Sequence, residues 1–99
     1  MWILRTLVEN EPERTFRILT GRPRTLGRAT GADFIVDGAL VSRVHCRITA
    51  LPDGSLEVKD LESTNGTFVN GTRIDTATLA SGDKLTVGRV DLIALHDHD

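Results

Sequence analysis

The sequence contains a single cysteine, Cys46, so no disulfide can form within the chain. A lone cysteine favours a reducing compartment, and its place in the alternating run Cys46, Ile48, Ala50 predicts a small core residue. No apolar run approaches the roughly 18 residues of a membrane helix, and the N-terminus lacks a basic-then-apolar signal pattern. We therefore expect a soluble protein in the cytoplasm.

Helical periodicity is also missing, because no segment repeats its apolar residues with a 3.6-residue period. Strand-like runs recur instead about every eight to twelve residues, separated by turn residues. Leu56–Lys59 alternates apolar and polar residues, which indicates one buried face, and Asn70-Gly71 is typical of a hairpin turn. About ten short strands without a helix predict a β-sandwich or a β-barrel.

Lysine is absent from residues 1–50, whose eight basic residues are all arginine. These eight and five acids give this half 8 − 5 = +3, whereas residues 51–99 carry four basic and nine acidic residues, or −5. The total of −2 argues against a general nucleic-acid binder, and basic residues do not alternate with aromatic ones as in single-strand binders. The planar guanidinium group of arginine can bind an oxyanion through two hydrogen bonds at once. Most of these eight arginines are nevertheless explained as ordinary solvated surface charges.

Turn-forming residues are densest in the segment Leu61–Gly71, which reads LESTNGTFVNG. Its Ser, Thr and Asn side chains can bond their own backbone, and its glycines can adopt a positive φ. Hydroxyl and amide groups held at a fixed turn on a β scaffold suit a polar ligand. On this segment alone, a hairpin turn bonded only to itself is the simpler interpretation.

Four further motifs accompany this turn: Gly27-Arg28, Ser42–His45, Ser81–Asp83 and Val87-Gly88. Their order and spacing resemble the forkhead-associated (FHA) domain, which is marked by G-R, S-x-x-H, S-T-N-G-T-x-V-N-G, G-D and a later glycine. The resemblance covers residues 16–95. It implies an all-β, SMAD-like sandwich of two sheets, with about ten to eleven short strands and the ligand loops at one end. We expect residues 1–95 to form this domain and residues 96–99 to form a flexible tail.

The resemblance implies a non-catalytic module that binds phosphothreonine-containing segments of partner proteins downstream of a Ser/Thr protein kinase. We expect no cofactor and no metal ion. We also expect no direct contact with nucleic acid or membrane. By this resemblance the phosphate is bound by Arg28, Ser42 and Thr64, the peptide is bound by Arg43 and Asn65, and the site is supported by Gly27, His45, Gly66 and Asn70. Hydroxyl and backbone N–H groups of Ser42 and Thr64 are the expected donors.

Simpler roles remain open for several of these residues. Arg28 can form a surface salt bridge with Asp33 or Asp37, and Arg43 is equally consistent with a solvated charge. Asn70 is expected to cap its hairpin rather than to bond a loop.

Two other functions compete with phosphothreonine binding. A phospho-independent interaction domain on the same fold has the same motifs. A small serine hydrolase built on Ser42 and His45 is disfavoured, because the sequence has neither an orienting carboxylate at a suitable spacing nor a G-x-S-x-G elbow.

Two other kinds of site are also disfavoured. A nucleotide-phosphate loop would need a G-K-[ST] motif, which is missing. A metal site is disfavoured because His45 and Cys46 are adjacent and therefore lie on opposite faces of a strand.

The subfamily is less defined. Residues 1–4, 16–21 and 24–28 resemble both bacterial FHA domains that act beside Ser/Thr kinases and the N-terminal FHA domain of nibrin type. The second resemblance would imply a nuclear location.

Overall fold

A computed structural model describes residues 1–96 of the chain. These residues form eleven strands and no helix. The strands are β1 (Trp2–Thr6), β2 (Thr15–Ile18), β3 (Arg24–Gly27), β4 (Phe34–Ile35), β5 (Cys46–Ala50), β6 (Leu56–Asp60), β7 (Thr67–Val69), β8 (Thr72–Ile74), β9 (Thr76–Leu79), β10 (Lys84–Val87) and β11 (Val90–His96). The part of the chain described here contains no helix that could span a membrane.

The strands form two sheets. The six-stranded sheet has the order β2-β1-β11-β10-β7-β8, and the five-stranded sheet has the order β4-β3-β5-β6-β9. Strands β3 and β4 run parallel, and the other neighbouring strands run antiparallel. The structure thus confirms the predicted two-sheet β-sandwich.

The core lies between the sheets, and strands β1, β5 and β10 alternate buried and more exposed residues. In β5, Cys46, Ile48 and Ala50 are buried while Arg47 is exposed. Burial of an aliphatic side chain stabilises the fold by roughly 1.5–3 kcal/mol, so this alternation orients the sheets. Desolvation and, to a smaller extent, the nearby Asp60 carboxylate raise the pKa of the Cys46 thiol to about 12. Cys46 is therefore an inert core residue, as predicted.

The C-terminal strand reaches the first residues of the chain. His96 is the register partner of Trp2, and their rings stack with centroids 4.8 Å apart. His96, which was expected to begin the tail, therefore belongs to β11. Residues 97–99 of the expected tail lie outside the described residues.

Candidate functional site

Strand β3 ends at Gly27, and Arg28 begins the loop that follows it. Gly27 is buried, and a β-carbon at this position would collide with the backbone carbonyl of Arg43. The absence of a side chain lets the two segments join: Arg28 N–H donates to Ser42 O at 2.9 Å, and Ala29 N–H donates to Arg43 O at 3.1 Å. Gly27 thus holds Arg28 beside the segment that carries Ser42.

Arg28 is exposed, and its Nε donates to the backbone oxygen of Val41 at 3.1 Å. Its two terminal amino groups have no hydrogen bond or ion pair within residues 1–96. Neither alternative salt bridge, to Asp33 or to Asp37, is formed among residues 1–96, and Asp33 lies 3.8 Å from Arg24 instead. Hydrogen bonds from Thr25 lower the pKa of Asp33 and keep it charged there. The Arg28 guanidinium is anchored by one nitrogen and open at the other two.

His45 links two loops through both nitrogens of its buried ring. Nδ1 accepts a hydrogen bond from Ser42 N–H at 3.0 Å, and Nε2 lies 2.8 Å from the backbone oxygen of Gly66. An acceptor at Nδ1 and a donor at Nε2 assign the neutral Nε2–H tautomer. Because the Nδ1 lone pair is occupied, this ring cannot take a proton from the Ser42 hydroxyl. His45 is positioned as a structural support, and the arrangement argues against a Ser–His hydrolase.

A hydrogen bond joins Thr64 to Ser42. Thr64 N–H donates to Ser42 Oγ at 3.0 Å, while Ser42 N–H is used by His45. Both backbone N–H groups are therefore engaged within the protein, contrary to the expectation that they would face a ligand. The hydroxyl protons of both residues remain available as donors, since neither hydroxyl donates within the described residues.

Asn65 reaches across to the β4–β5 loop, which also carries Ser42. Its Nδ2 donates to the backbone oxygen of Leu40 at 2.8 Å, which fixes the chain between β4 and β5. Its Oδ1 accepts no hydrogen bond within residues 1–96. The side chain thus combines an internal tie with an acceptor that can bind the main chain of a ligand.

The five residues predicted to contact the ligand line one cavity of about 280 Å³. We call it the loop cleft; it is lined by Arg28, Ala39, Leu40, Val41, Ser42, Arg43, Thr64 and Asn65. The lining includes two guanidinium groups and no carboxylate. In the chain from Met1 to His96, no three His, Cys, Asp or Glu residues are grouped so that they could hold a metal ion. A shallow cationic cleft rimmed by hydroxyls matches an oxyanion.

Comparison with known proteins identifies the family of the chain. The model of the FHA domain family matches residues 24–88. The chain belongs to the FHA domain family. The glycogen accumulation regulator GarA of Mycolicibacterium smegmatis is 37% identical over 90 residues, which is 90% of this chain and 56% of that protein. The chain thus spans about half the length of this relative.

Two solved FHA domains share the whole fold. The FHA domain of the CT664 protein from Chlamydia trachomatis is 25% identical with a TM-score of 0.92, over 99% of this chain and 98% of that one. A domain described for phosphothreonine-dependent FHA interactions is 26% identical with a TM-score of 0.84, over 99% and 98% of the two chains. The mycobacterial and chlamydial relatives are consistent with the bacterial resemblance.

In this FHA domain the site also depends on Asp60, which sequence reasoning missed. Its Oδ1 accepts from Ser63 Oγ at 2.5 Å and from Thr67 Oγ1 at 2.7 Å. Burial alone would raise the pKa of Asp60, but the hydrogen bonds from Ser63 and Thr67 outweigh it and lower that pKa. Ser63 Oγ in turn accepts from Gly66 N–H at 3.0 Å, where Gly66 has φ +89°. An Asp side chain that bonds the chain just after it is typical of turns, and this was the signal in the sequence that pointed to Asp60.

Asn70 lies at the turn of the β7–β8 hairpin, with φ 50° beside Gly71 at φ 85°. It was expected to cap this hairpin rather than to bond a loop. Its side chain donates to Asp83 Oδ1 at 3.1 Å and accepts from Lys84 N–H at 2.9 Å. Asn70 therefore ties the hairpin to the turn before β10, and these bonds do not involve residues of the loop cleft.

Proposed function

We propose that the loop cleft binds phosphothreonine within extended segments of partner proteins, as a non-catalytic recognition module in Ser/Thr kinase signalling. The open guanidinium of Arg28, next to the free hydroxyl protons of Ser42 and Thr64, is the observation that supports it. A phosphate of charge near −2 offers three acceptor oxygens, and these three side chains supply charge-assisted donors for them. The phosphothreonine-dependent interactions described for a solved relative support the same function.

Contacts to the peptide chain are assigned to Arg43 and Asn65. Arg43 is exposed at the cleft and has no internal side-chain partner in the described region. The free Oδ1 of Asn65 suits a backbone N–H of the ligand, while its Nδ2 stays on Leu40. Gly27, His45 and Gly66 hold these loops in register. We assign this activity to residues 1–95 acting as one domain, in the cytoplasm, with phosphorylated proteins as partners.

The decisive experiment is a titration of the purified domain with matched peptide libraries, phosphorylated on threonine or unmodified. Phosphorylated peptides are expected to bind, and the unmodified ones are not. Equal binding of both sets would instead support a phospho-independent interaction domain.

A further inference from the structure

The Val87-Gly88 motif lies at the hairpin that joins β10 to β11, outside the lining of the loop cleft. Val87 pairs with Val90, so Gly88 and Arg89 form a two-residue turn, with φ values of 52° and 66°. Positive φ at both central residues is typical of a type I′ turn. None of the residues assigned to the phosphate or to the peptide belongs to this turn.

The backbone angle alone does not explain a glycine at position 88. The β7–β8 hairpin also has a two-residue turn, because Val69 pairs with Thr72. Its first turn residue is Asn70, whose φ of 50° is close to the 52° of Gly88. The same sheet thus accommodates asparagine at this angle, as type I′ turns generally do. A different constraint excludes a side chain at position 88.

That constraint is the close approach of Gly88 to the β4–β5 loop. Gly88 is buried, and a β-carbon on it would lie 2.4 Å from the carbonyl carbon and oxygen of Leu40 and 2.5 Å from Val41 N. These three atoms belong to one planar peptide unit, which cannot bend aside as the end of a side chain can. The β10–β11 turn therefore packs directly against the peptide bond between Leu40 and Val41.

The same part of the β4–β5 loop anchors two side chains that are assigned to the ligand. Leu40 O accepts a hydrogen bond from Asn65 Nδ2 at 2.8 Å, and Val41 O accepts one from Arg28 Nε at 3.1 Å. The location of Leu40 and Val41 thus determines where the Asn65 amide and the Arg28 guanidinium lie in the loop cleft.

A second glycine packs this loop against the start of β11. A β-carbon on Gly38 would lie 2.9 Å from the Cγ2 atoms of both Val41 and Val90. Val41 is buried, and its N–H donates to Gly38 O at 3.1 Å. Gly38 does not adopt a positive φ, so space and not backbone angle excludes a side chain there. The residues around the β10–β11 turn thus support the loop at two neighbouring points.

We propose that the β10–β11 turn holds the β4–β5 loop in its ligand-binding position, with Gly88 as the positioning residue. Gly88 acts through the Leu40–Val41 peptide, on which Asn65 and Arg28 are anchored. This inference rests on the proposed function, because that function assigns the ligand contacts that Gly88 positions.

A side chain at position 88 would disturb both anchors. Carbon atoms in contact lie about 3.5–4.0 Å apart, so the new side chain has to push the Leu40–Val41 peptide away by roughly 1 Å. A shift of this size takes a hydrogen bond out of its normal range. The side chains of Asn65 and Arg28 then lose their fixed positions and must be ordered when the ligand binds, which lowers affinity.

The test compares Gly88→Asn with Gly71→Asn. Asparagine tolerates a positive φ, and a β-carbon on Gly71, at φ 85°, would meet no described atom within 4 Å. Both variants carry the same new side chain in the same kind of turn, and only the first crowds Leu40. Calorimetry measures the affinity of each whole chain for one phosphothreonine peptide, at a temperature at which its melting curve shows it to be folded. We expect Gly88→Asn to lose affinity by roughly five- to a hundredfold, and Gly71→Asn to bind like the wild type.

A spectroscopic measurement separates positioning from stability. In ¹⁵N-labelled protein without ligand, the Arg28 Nε–H and Asn65 Nδ2–H signals report the two hydrogen bonds to the β4–β5 loop. Both signals should shift in Gly88→Asn and stay in place in Gly71→Asn. If they also stay in place in Gly88→Asn, the Leu40–Val41 peptide has not moved and the proposal is wrong.

Two affinity results would also overturn the proposal. Wild-type affinity in a folded Gly88→Asn protein would show that Gly88 only closes its hairpin. Equal losses in Gly88→Asn and Gly71→Asn would assign the effect to strain in the turns and not to the contact with Leu40. If the wild type binds no phosphopeptide, the proposed function fails, and the role of Gly88 in binding fails with it; unshifted signals with intact wild-type binding refute the positioning alone.

If Gly88→Asn does not fold, Gly38→Ala takes its place, because it crowds Val41 without requiring a positive φ. It should lower the affinity and shift the Arg28 signal. Gly31→Ala is its control, since a β-carbon there would meet no described atom within 4 Å. A folded Gly38→Ala protein with unchanged affinity and an unchanged Arg28 signal would contradict the proposal.

Discussion

The backbone N–H of Thr64 donates to the hydroxyl of Ser42 at 3.0 Å, and so joins two loops that lie 22 positions apart in the sequence. The bond uses a lone pair of Ser42 Oγ, so the hydroxyl proton is left to point away from Thr64. The same contact holds Ser42 and Thr64 together in the lining of the loop cleft. A tetrahedral oxyanion can then receive a donor from each loop, with Arg28 as the third.

Arg28→Ala is expected to remove measurable phosphopeptide binding and leave the fold intact, because the side chain is exposed and leaves no core cavity. A lost charge-assisted bidentate contact costs on the order of 2–3 kcal/mol or more. Arg28→Lys should recover only part of the affinity, since a point charge does not reproduce the fork. Calorimetry checks this against Arg17→Ala, an exposed arginine outside the loop cleft. Normal binding by Arg28→Ala would place the phosphate elsewhere.

His45→Ala should lower both the melting temperature and the affinity. The ring is fully buried, and its loss leaves Ser42 N–H and Gly66 O without their partner. Such losses cost about 1–3 kcal/mol, which corresponds to several degrees for a domain of this size. Ser42→Ala should reduce affinity with a much smaller change in melting temperature, because Ser42 is half-buried. A His45→Ala protein that melts like the wild type would contradict the supporting role.

Asp60→Asn should destabilise the domain at neutral pH and weaken its dependence on acid. The pKa of Asp60 is lower folded than its ordinary 3.8, so its ionisation stabilises the folded state above that value. This stability is lost as the pH falls through the lower, folded pKa. Urea midpoints of the wild type and the variant should therefore differ at pH 7 and converge in strong acid. Asp75→Asn, at an exposed carboxylate without side-chain bonds in the described residues, is the control. A difference that persists in acid would refute the assignment.

Binding should weaken with rising salt and with falling pH. The cationic lining of the loop cleft meets a phosphate whose second pKa is about 6, and protonation removes part of the charge that the guanidinium groups bind. Titrations of one phosphopeptide between pH 7.5 and pH 5, chosen around that pKa of about 6, at two salt concentrations, measure both effects. Affinity that is constant over this range would indicate recognition that does not use the phosphate charge.

Phosphothreonine should bind better than phosphoserine by roughly several-fold to tenfold. The extra methyl group is worth about 0.8 kcal/mol when buried, and it also restricts the side-chain rotamer. Apolar wall is present in the loop cleft, from Ala39, Leu40 and Val41. The measurement is calorimetry with two peptides that differ only by this methyl group. Indistinguishable affinities would show that the loop cleft is an unspecific anion site that does not recognise the methyl group.

The strands and the motif residues were predictable because they depend on local patterns. Alternation placed Ile48 and Val58 in the core, and the FHA motif order brought Arg28 and Thr64 to one end. What could not be predicted depends on contacts between loops that are distant in sequence. The bond from Asn65 to Leu40 O leaves no mark on composition or periodicity. The cavity lined by Thr6, Asp37 and Val90 likewise arises only where the β1–β2 loop meets the segment after β4.

The tie between Asn65 and position 40 has a practical meaning for protein engineering. It ends on a main-chain oxygen, so it does not depend on which side chain position 40 carries. The Leu40 side chain itself is 38% exposed and lines the loop cleft, as does exposed Ala39. These two positions can therefore be randomised in a library without breaking the hydrogen bonds that hold the loops. Binders for different phosphorylated sequences can be selected from such a library, on a small scaffold whose single cysteine is buried.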